Sequence, residues 1–539
     1  MSLLWIACCL GLAAAFPAKE PPKFGDLYHV SGVIHLPYSE IEEPFEAWYN
    51  GTGKESRIDY YKGQVKTFQH AFELQNGIGY KISPETTETE FNVIKCFQVN
   101  GTKTTPIYSQ PIFPDISSFK FVGMDHIKGR KCQLWRNVTY DGGRKQTYSL
   151  WVTGNGADVE PMRYEMIGVN TLLGSHFDKY YIDYNDFQKD VDPAYFRLPK
   201  GMKCVGFPGP GVEHHLLLNP VAELLRMHKP PHMHGLFHHF KRHHGHTYTG
   251  RENEERHDAF VHNVRFIHST NRAQSSFRVG MNHLADYFLN EVQSLLGHKP
   301  SPGPNGGLAF PAELYVGVEP PENLDWRLYG AVTPVKDQAI CGSCWSFAST
   351  GTMEGALFLK TGKLVKLSQQ MLMDCTWGFG NNGCDGGEEW RSYEWIKRHG
   401  GICTAESYGH YLGENGFCHY NTSEQVAQVE NYVNVTSGDA KALRIALFKH
   451  GPTAVSMDAM QRSFTFYENG IYYEPKCKNK VDDMNHAVLA VGYGVLQGKP
   501  YWLVKNSWSS YWGNAGYFLI STKDNNCGIT SDATFVVLK

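Results

Sequence analysis

Between Tyr28 and Arg197 apolar and polar residues alternate in short runs, the period of a strand with one buried face. Residues 29–36, 147–152 and 179–184 are clear cases. Asn50-Gly51, Asn100-Gly101 and Asp141-Gly142-Gly143 supply turns between such runs. This rhythm predicts an antiparallel β domain, barrel or sandwich. A second rhythm follows. Glu252, Arg256, Phe260, Asn263, Ile267 and Asn271 are spaced four, four, three, four and four, one stripe of a helix. Phe237-His238-His239-Phe240-Lys241 and Tyr248 suggest a helix before it. Lys299–Gly307 is rich in Pro and Gly and predicts an exposed linker. Two apolar runs, one starting at His486 and one ending at Asn506, read as buried strands.

The 539 residues leave room for two or three domains, and a formal net charge of −3 points away from a nucleic-acid partner. Met1–Leu12 is apolar but too short to span a bilayer, and Ala13-Ala14-Ala15 offers a small-residue cleavage site. A signal peptide at 1–15 is expected, with no membrane helix after it. The remaining boundaries are a β-rich domain at 16–210, a His-rich linker at 211–235, a helical segment at 236–298, a linker at 299–314 and a second domain at 315–539.

The candidate chemistry sits in Gln338-Ala339-Ile340-Cys341-Gly342-Ser343-Cys344-Trp345. A Cys at a helix start sits near the positive end of the helix dipole, which favours the nucleophilic thiolate. His486 lies 142 residues beyond Cys344 and Asn506 lies 162 beyond. As imidazolium, His486 would pair with the thiolate, while the Asn506 amide oxygen fixes the ring. Gln338, with the Cys344 backbone N–H, would bind an oxyanion. A lone Cys, His or Asn is ordinarily structural; four in this order and local context are not.

These motifs resemble the papain family of cysteine peptidases, of the cathepsin L type, over residues 315–539. The resemblance also covers Asp325-Trp326-Arg327, Cys375, Gly383–Gly387, Trp508 and Trp512-Gly513. It implies an α+β fold: a two-lobed peptidase with a helical lobe and a β-barrel lobe, preceded by a helical inhibitory prosegment and the N-terminal antiparallel β domain. It further implies that Gly386 and Gly387 hydrogen-bond the substrate, that Trp508 shields Asn506, and that Trp512 lines the leaving-group side. Ser509 departs from the usual Gly, and a surface change is expected there. The 252–271 stripe reproduces the ERFNIN motif of the family's prosegments, and Gly280–Asp286 resembles the turn after it. The family runs this segment backwards through the cleft, so the chain is expected to be a zymogen, cut so that the enzyme begins within 308–321.

The resemblance pairs Cys341 with Cys384, Cys375 with Cys418, and Cys477 with Cys527. Cys96, Cys132, Cys204 and Cys403 remain. One solution joins Cys96 to Cys132 and Cys204 to Cys403; four cysteines allow three connectivities, and all four could also be unpaired. Sequons at Asn50, Asn100, Asn137, Asn421 and Asn434 fit the secretory pathway, with lysosome, granule or exterior as destination.

By motif alignment the S2 pocket involves Glu388, Glu389, Ser456, Met484, Ala487 and Asp532. Two Glu side chains could instead face solvent, since unpaired buried carboxylates are costly. An S2 that accepts Arg or Lys beside apolar residues is the expectation, as is endopeptidase action, because no insertion resembles the cathepsin B occluding loop. The His-rich stretch, His214, His215, His228, His232, His234, His238, His239, His243, His244 and His246, reads either as a pH sensor or as a solvated linker. No metal or cofactor is expected. Protein and peptide substrates, and the chain's own prosegment, are the expected partners. The order of domains resembles the insect 26/29 kDa proteinase precursors, which implies a heterodimer of N-terminal fragment and enzyme after processing. A half-barrel like that of ependymin or the bacterial lipoprotein carriers is another reading of the β domain. The competing function is a binding or inhibitor protein whose β domain is the working part.

Overall fold

The computed structural model describes residues 19–87, 90–207, 214–225, 231–273 and 276–539. The expected signal peptide and His228 lie outside the described residues. The chain divides into two compact units, one of residues 1–82 and 96–233, the other of residues 83–95 and 234–539.

Among the described residues the first unit is built on one twelve-stranded sheet. Its strands are β1 (Leu27–Leu36), β2 (Ile41–Asn50), β3 (Glu55–Tyr60), β4 (Val65–His70), β5 (Ile78–Glu85) and β6 (Val93–Asn100). Then come β7 (Lys120–Ile127), β8 (Arg130–Asp141), β9 (Arg144–Thr153), β10 (Glu160–Asn170), β11 (His176–Gln188) and β12 (Cys204–Gly206). They lie side by side in the order β12-β6-β5-β4-β3-β2-β1-β11-β10-β9-β8-β7. The alternation seen in sequence is real: Tyr28, Val30, Gly32, Ile34 and Leu36 of β1 are buried, and the residues between them are not. Several strands run to ten residues or more, longer than the short runs suggested. The stretch expected as a His-rich linker is partly built into this unit. Short helices form at His214–Leu218 and Ala222–Leu225, and Val221, Leu224 and Leu225 join the core of Val30, Ile58 and Tyr164.

In the second unit, helices Pro231–His244 and Gly250–Ala273 pack through Phe237, Phe240 and Phe260, with ring centroids 5.0–5.2 Å apart across the helices. The polar residues of the helical stripe tie down the chain that follows. Arg256 reaches Glu291 at 2.7 Å, Asn263 donates to the Ala285 carbonyl at 2.8 Å, and Asn271 brackets the backbone of Val279. A ten-stranded sheet runs through Phe277–Val279, Tyr467–Tyr472, Tyr517–Ser521, Lys499–Lys505, His486–Leu496, Thr453–Met457, Ala533–Leu538, Val429–Asn434 and Leu308–Ala309, with Leu324–Asp325 added on His486–Leu496. Both ends of that path are strands from upstream of residue 315, which cover the edges of the sheet formed by the later residues. The helix Cys344–Thr361 packs on this sheet.

Candidate active site

Cys344 opens the helix Cys344–Thr361, and the turn before it is pinned by the Cys341–Cys384 bridge and by the Gly342 N–H donating to the Cys384 carbonyl at 2.9 Å. Its sulfur is fully buried and accepts from the Ala487 N–H at 3.4 Å. His486 begins the strand His486–Leu496, which brings its backbone neighbour Ala487 to the helix start. The ring's Nε2 bonds the Asn506 Oδ1 at 2.8 Å, which leaves Nδ1 buried with no hydrogen-bond partner. Asn506 Oδ1 also accepts from the Ser507 N–H at 2.8 Å, and Trp508 lies against His486 with centroids 4.7 Å apart. Trp512 packs on Trp508 and donates to the Phe464 and Thr465 carbonyls.

Burial acts on the protonation of both groups in the covered site. Burial pushes the Cys344 thiol up to about 12, and burial pushes His486 down to about 4 despite its bond to Asn506. In the covered site both are neutral.

The cover is the segment Leu295–Lys299. The Gln338 side-chain N–H₂ donates to the Leu295 carbonyl at 2.9 Å and to the Cys341 carbonyl at 2.7 Å. Gly387 donates its N–H to the Gly297 carbonyl at 2.9 Å and accepts from Lys299 at 3.2 Å, a parallel bridge centred on His298. The His298 N–H donates to the Asn485 carbonyl at 3.0 Å. Gly386 has φ 110°, and a Cβ there would meet the Gly297 carbonyl at 2.7 Å.

The other expected pocket residues are placed unequally. Glu388 and Glu389 are both buried, so neither faces solvent. Glu388 turns to Arg391 at 2.9 Å and accepts from the Ser301 N–H at 2.9 Å. Glu389 and Asp532 close on the His298 ring at 3.6 and 3.4 Å, with Ser456 Oγ at 3.5 Å. Met484 and Ala487 are buried near the His486 strand start. Sequence reading missed three participants. His298 carries no motif. Ser507, whose Oγ donates to Gln338 Oε1 at 2.7 Å and so turns the amide N–H₂ outward, follows Asn506 directly and could have been found by adjacency. Asn381 holds the Glu388 N–H at 2.9 Å.

Of the cysteines, Cys375–Cys418 and Cys477–Cys527 are bridged as the family resemblance implied. The solution offered for the other four is corrected: Cys96 pairs with Cys204, while Cys132 and Cys403 are free and buried. The parallel pairing of β12 on β6 sets Cys204 opposite Cys96, across 108 residues. Among the sequons, Asn100 and Asn421 are exposed, while Asn50 and Asn137 are half-buried and donate to Glu55 and Ser118. Asn434 donates to Asn305 at 2.7 Å, which occupies the nitrogen a glycan would need. Ser509 holds φ 65°, so the family's Gly at this position has a conformational reason rather than only a surface one. Among the described residues no helix is long and apolar enough to cross a membrane.

A profile of the papain family cysteine proteases matches residues 320–537, and one of the cathepsin propeptide inhibitor domain matches residues 237–292. A cathepsin L-like peptidase of Aedes aegypti is 42% identical over 291 residues, 52% of this chain and 84% of the relative. Cathepsin L2 of Homo sapiens is 39% identical over 301 residues, 54% of this chain and 89% of its own. Among solved structures, digestive procathepsin L 3 of Tenebrio molitor larval midgut superposes with a TM-score of 0.52 at 34% identity, over 57% of this chain and 99% of that one.

Proposed function

The chain belongs to the papain family of cysteine proteases and is a cathepsin L-like zymogen with its own propeptide, and from that premise we propose how its residues divide the work. Once the cleft is open, His486 takes the Cys344 proton. The thiolate attacks the scissile carbonyl carbon, and the oxyanion is held by the Gln338 amide and the Cys344 N–H. The C–N bond breaks as the His486 imidazolium gives its proton to the departing amine, leaving a thioester on Cys344. Water, deprotonated by His486, hydrolyses the thioester and returns the thiol. Asn506 keeps the ring aligned, Trp508 keeps water from that bond, and Gly386 and Gly387 bind the substrate backbone. Trp512 lines the leaving-group side. No cofactor enters any step.

The observation that carries this reading is the Leu295–Lys299 segment. Its Leu295 carbonyl takes the Gln338 hydrogen bond that an oxyanion would take. Activation then requires a cut downstream, within 308–321, with the N-terminal fragment released or kept as a second subunit. Entry to the secretory pathway through a signal peptide at 1–15, with glycans at the exposed sequons, completes the proposal. The test is acid incubation followed by an epoxide that traps thiolates. Labelling of Cys344 together with smaller chains is expected; no labelling of Cys344 at any pH overturns the reading.

A further inference from the structure

The pocket filled by His298 holds two carboxylates and one positive partner. Glu389, at the start of the helix Glu389–His399, is 6% exposed in its side chain, and its Oε1 has no hydrogen-bond partner. Asp532 reaches the other side of the ring at 3.4 Å, and Ser456 Oγ lies within 3.5 Å of both groups. The His298 side chain is 0% exposed. Burial by itself would discharge this ring, but the Glu389 and Asp532 carboxylates, at 3.6 and 3.4 Å, outweigh it and hold His298 up at about 10. The same burial pushes Glu389 up. Met484 and Ala487 are the apolar neighbours by motif, and Glu388 is committed to Arg391.

Cleavage of the precursor removes His298 and leaves these carboxylates without their counter-charge. A buried carboxylate, Glu389, beside a half-buried one, Asp532, facing an empty cleft is a receptor for a cation. We infer that the Glu389–Ser456–Asp532 pocket selects substrates with a basic side chain two residues before the scissile bond, and that His298 is the built-in occupant of the same pocket. The inference rests on the catalytic reading above and goes beyond it by naming the substrate class.

The test uses the activated enzyme and five fluorogenic peptides that differ only at that residue: Arg, Lys, His, Leu and Phe. The wild type is expected to hydrolyse the Arg or Lys peptide with kcat/KM at least equal to that for Leu. Glu389→Gln and Asp532→Asn are each expected to lower the Arg-to-Leu ratio of kcat/KM by at least about tenfold, as for a buried charge pair that loses one partner. The ratio is an internal reference, and Asp532→Asn carries the reading if Glu389→Gln fails to fold. Hydrolysis of Leu and Phe alone, or ratios unchanged in the variants, overturns the inference and leaves the catalytic reading intact. An enzyme that cuts none of the five overturns both.

Discussion

The Cβ position of Gly297 lies 1.8 Å from the carbonyl oxygen of Gly342. No side chain fits there, so the prosegment passes the nucleophile's turn only because residue 297 is glycine. Gly297→Ala must push the strand outward. That weakens the Gly387–Gly297 and Gln338–Leu295 hydrogen bonds, worth about 1 kcal/mol each. We expect roughly tenfold or greater faster labelling of Cys344 in the uncut precursor at neutral pH. An unchanged labelling rate would show that the close approach does not seal the cleft.

Cys344 and His486 are both neutral under the prosegment, the thiol up at about 12 and the imidazole down at about 4, each by burial. Uncut precursor should therefore resist iodoacetamide through about pH 9. After cleavage the rate should hold a plateau below pH 7, because the thiolate is then paired with an imidazolium. Equal pH profiles before and after cleavage would contradict this.

His244 and His283 pack with His243, His246 and the enzyme's Tyr511, near the buried Asp286. Burial first, and neighbouring histidines second, lower both rings to about 4. A lowered folded pKa means the folded form binds fewer protons. The stability is fully present above about pH 6.5 and is lost as pH falls toward 4. His298 is shifted the other way and stays charged across this window. His244→Gln with His283→Gln should move the midpoint of acid activation to lower pH, read as appearance of small chains against pH. No movement would remove these two rings from the trigger.

Cys96 and Cys204 close a loop of 108 residues within the N-terminal unit. In the chain-entropy picture such a loop contributes about 5 kcal/mol. Cys96→Ser should lower that unit's melting temperature, and after activation the N-terminal fragment should separate from the enzyme without reductant. A fragment that stays attached until reduced would contradict the pairing.

Much of the candidate site's placement was legible because each residue sits in a local sequence that also shapes its element: Cys344 at a helix start, His486 at a strand start, Asn506 just after a strand end. The helix Gly250–Ala273 was legible from its period, and the alternation of Tyr28 to Leu36 gave the β domain. His298 was not legible, since its role depends on Glu389 and Asp532 arriving from elements 91 and 234 residues away. The Cys96–Cys204 bridge was hidden for the same reason: a parallel pairing of β12 on β6 leaves no local mark. Ser509 was read as a surface departure because its φ of 65° follows from the turn before Trp512, not from its neighbours' hydropathy.

His298 and Glu389 join two properties that selection would otherwise adjust separately. A lineage that alters Glu389 to accept a different side chain also loosens its own latch, and must change residue 298 in the same step or release active protease early. If the pocket selects substrates as proposed, substrate preference and dormancy are inherited as one trait, and paired replacements at 298 and 389 are the signature to seek among its relatives.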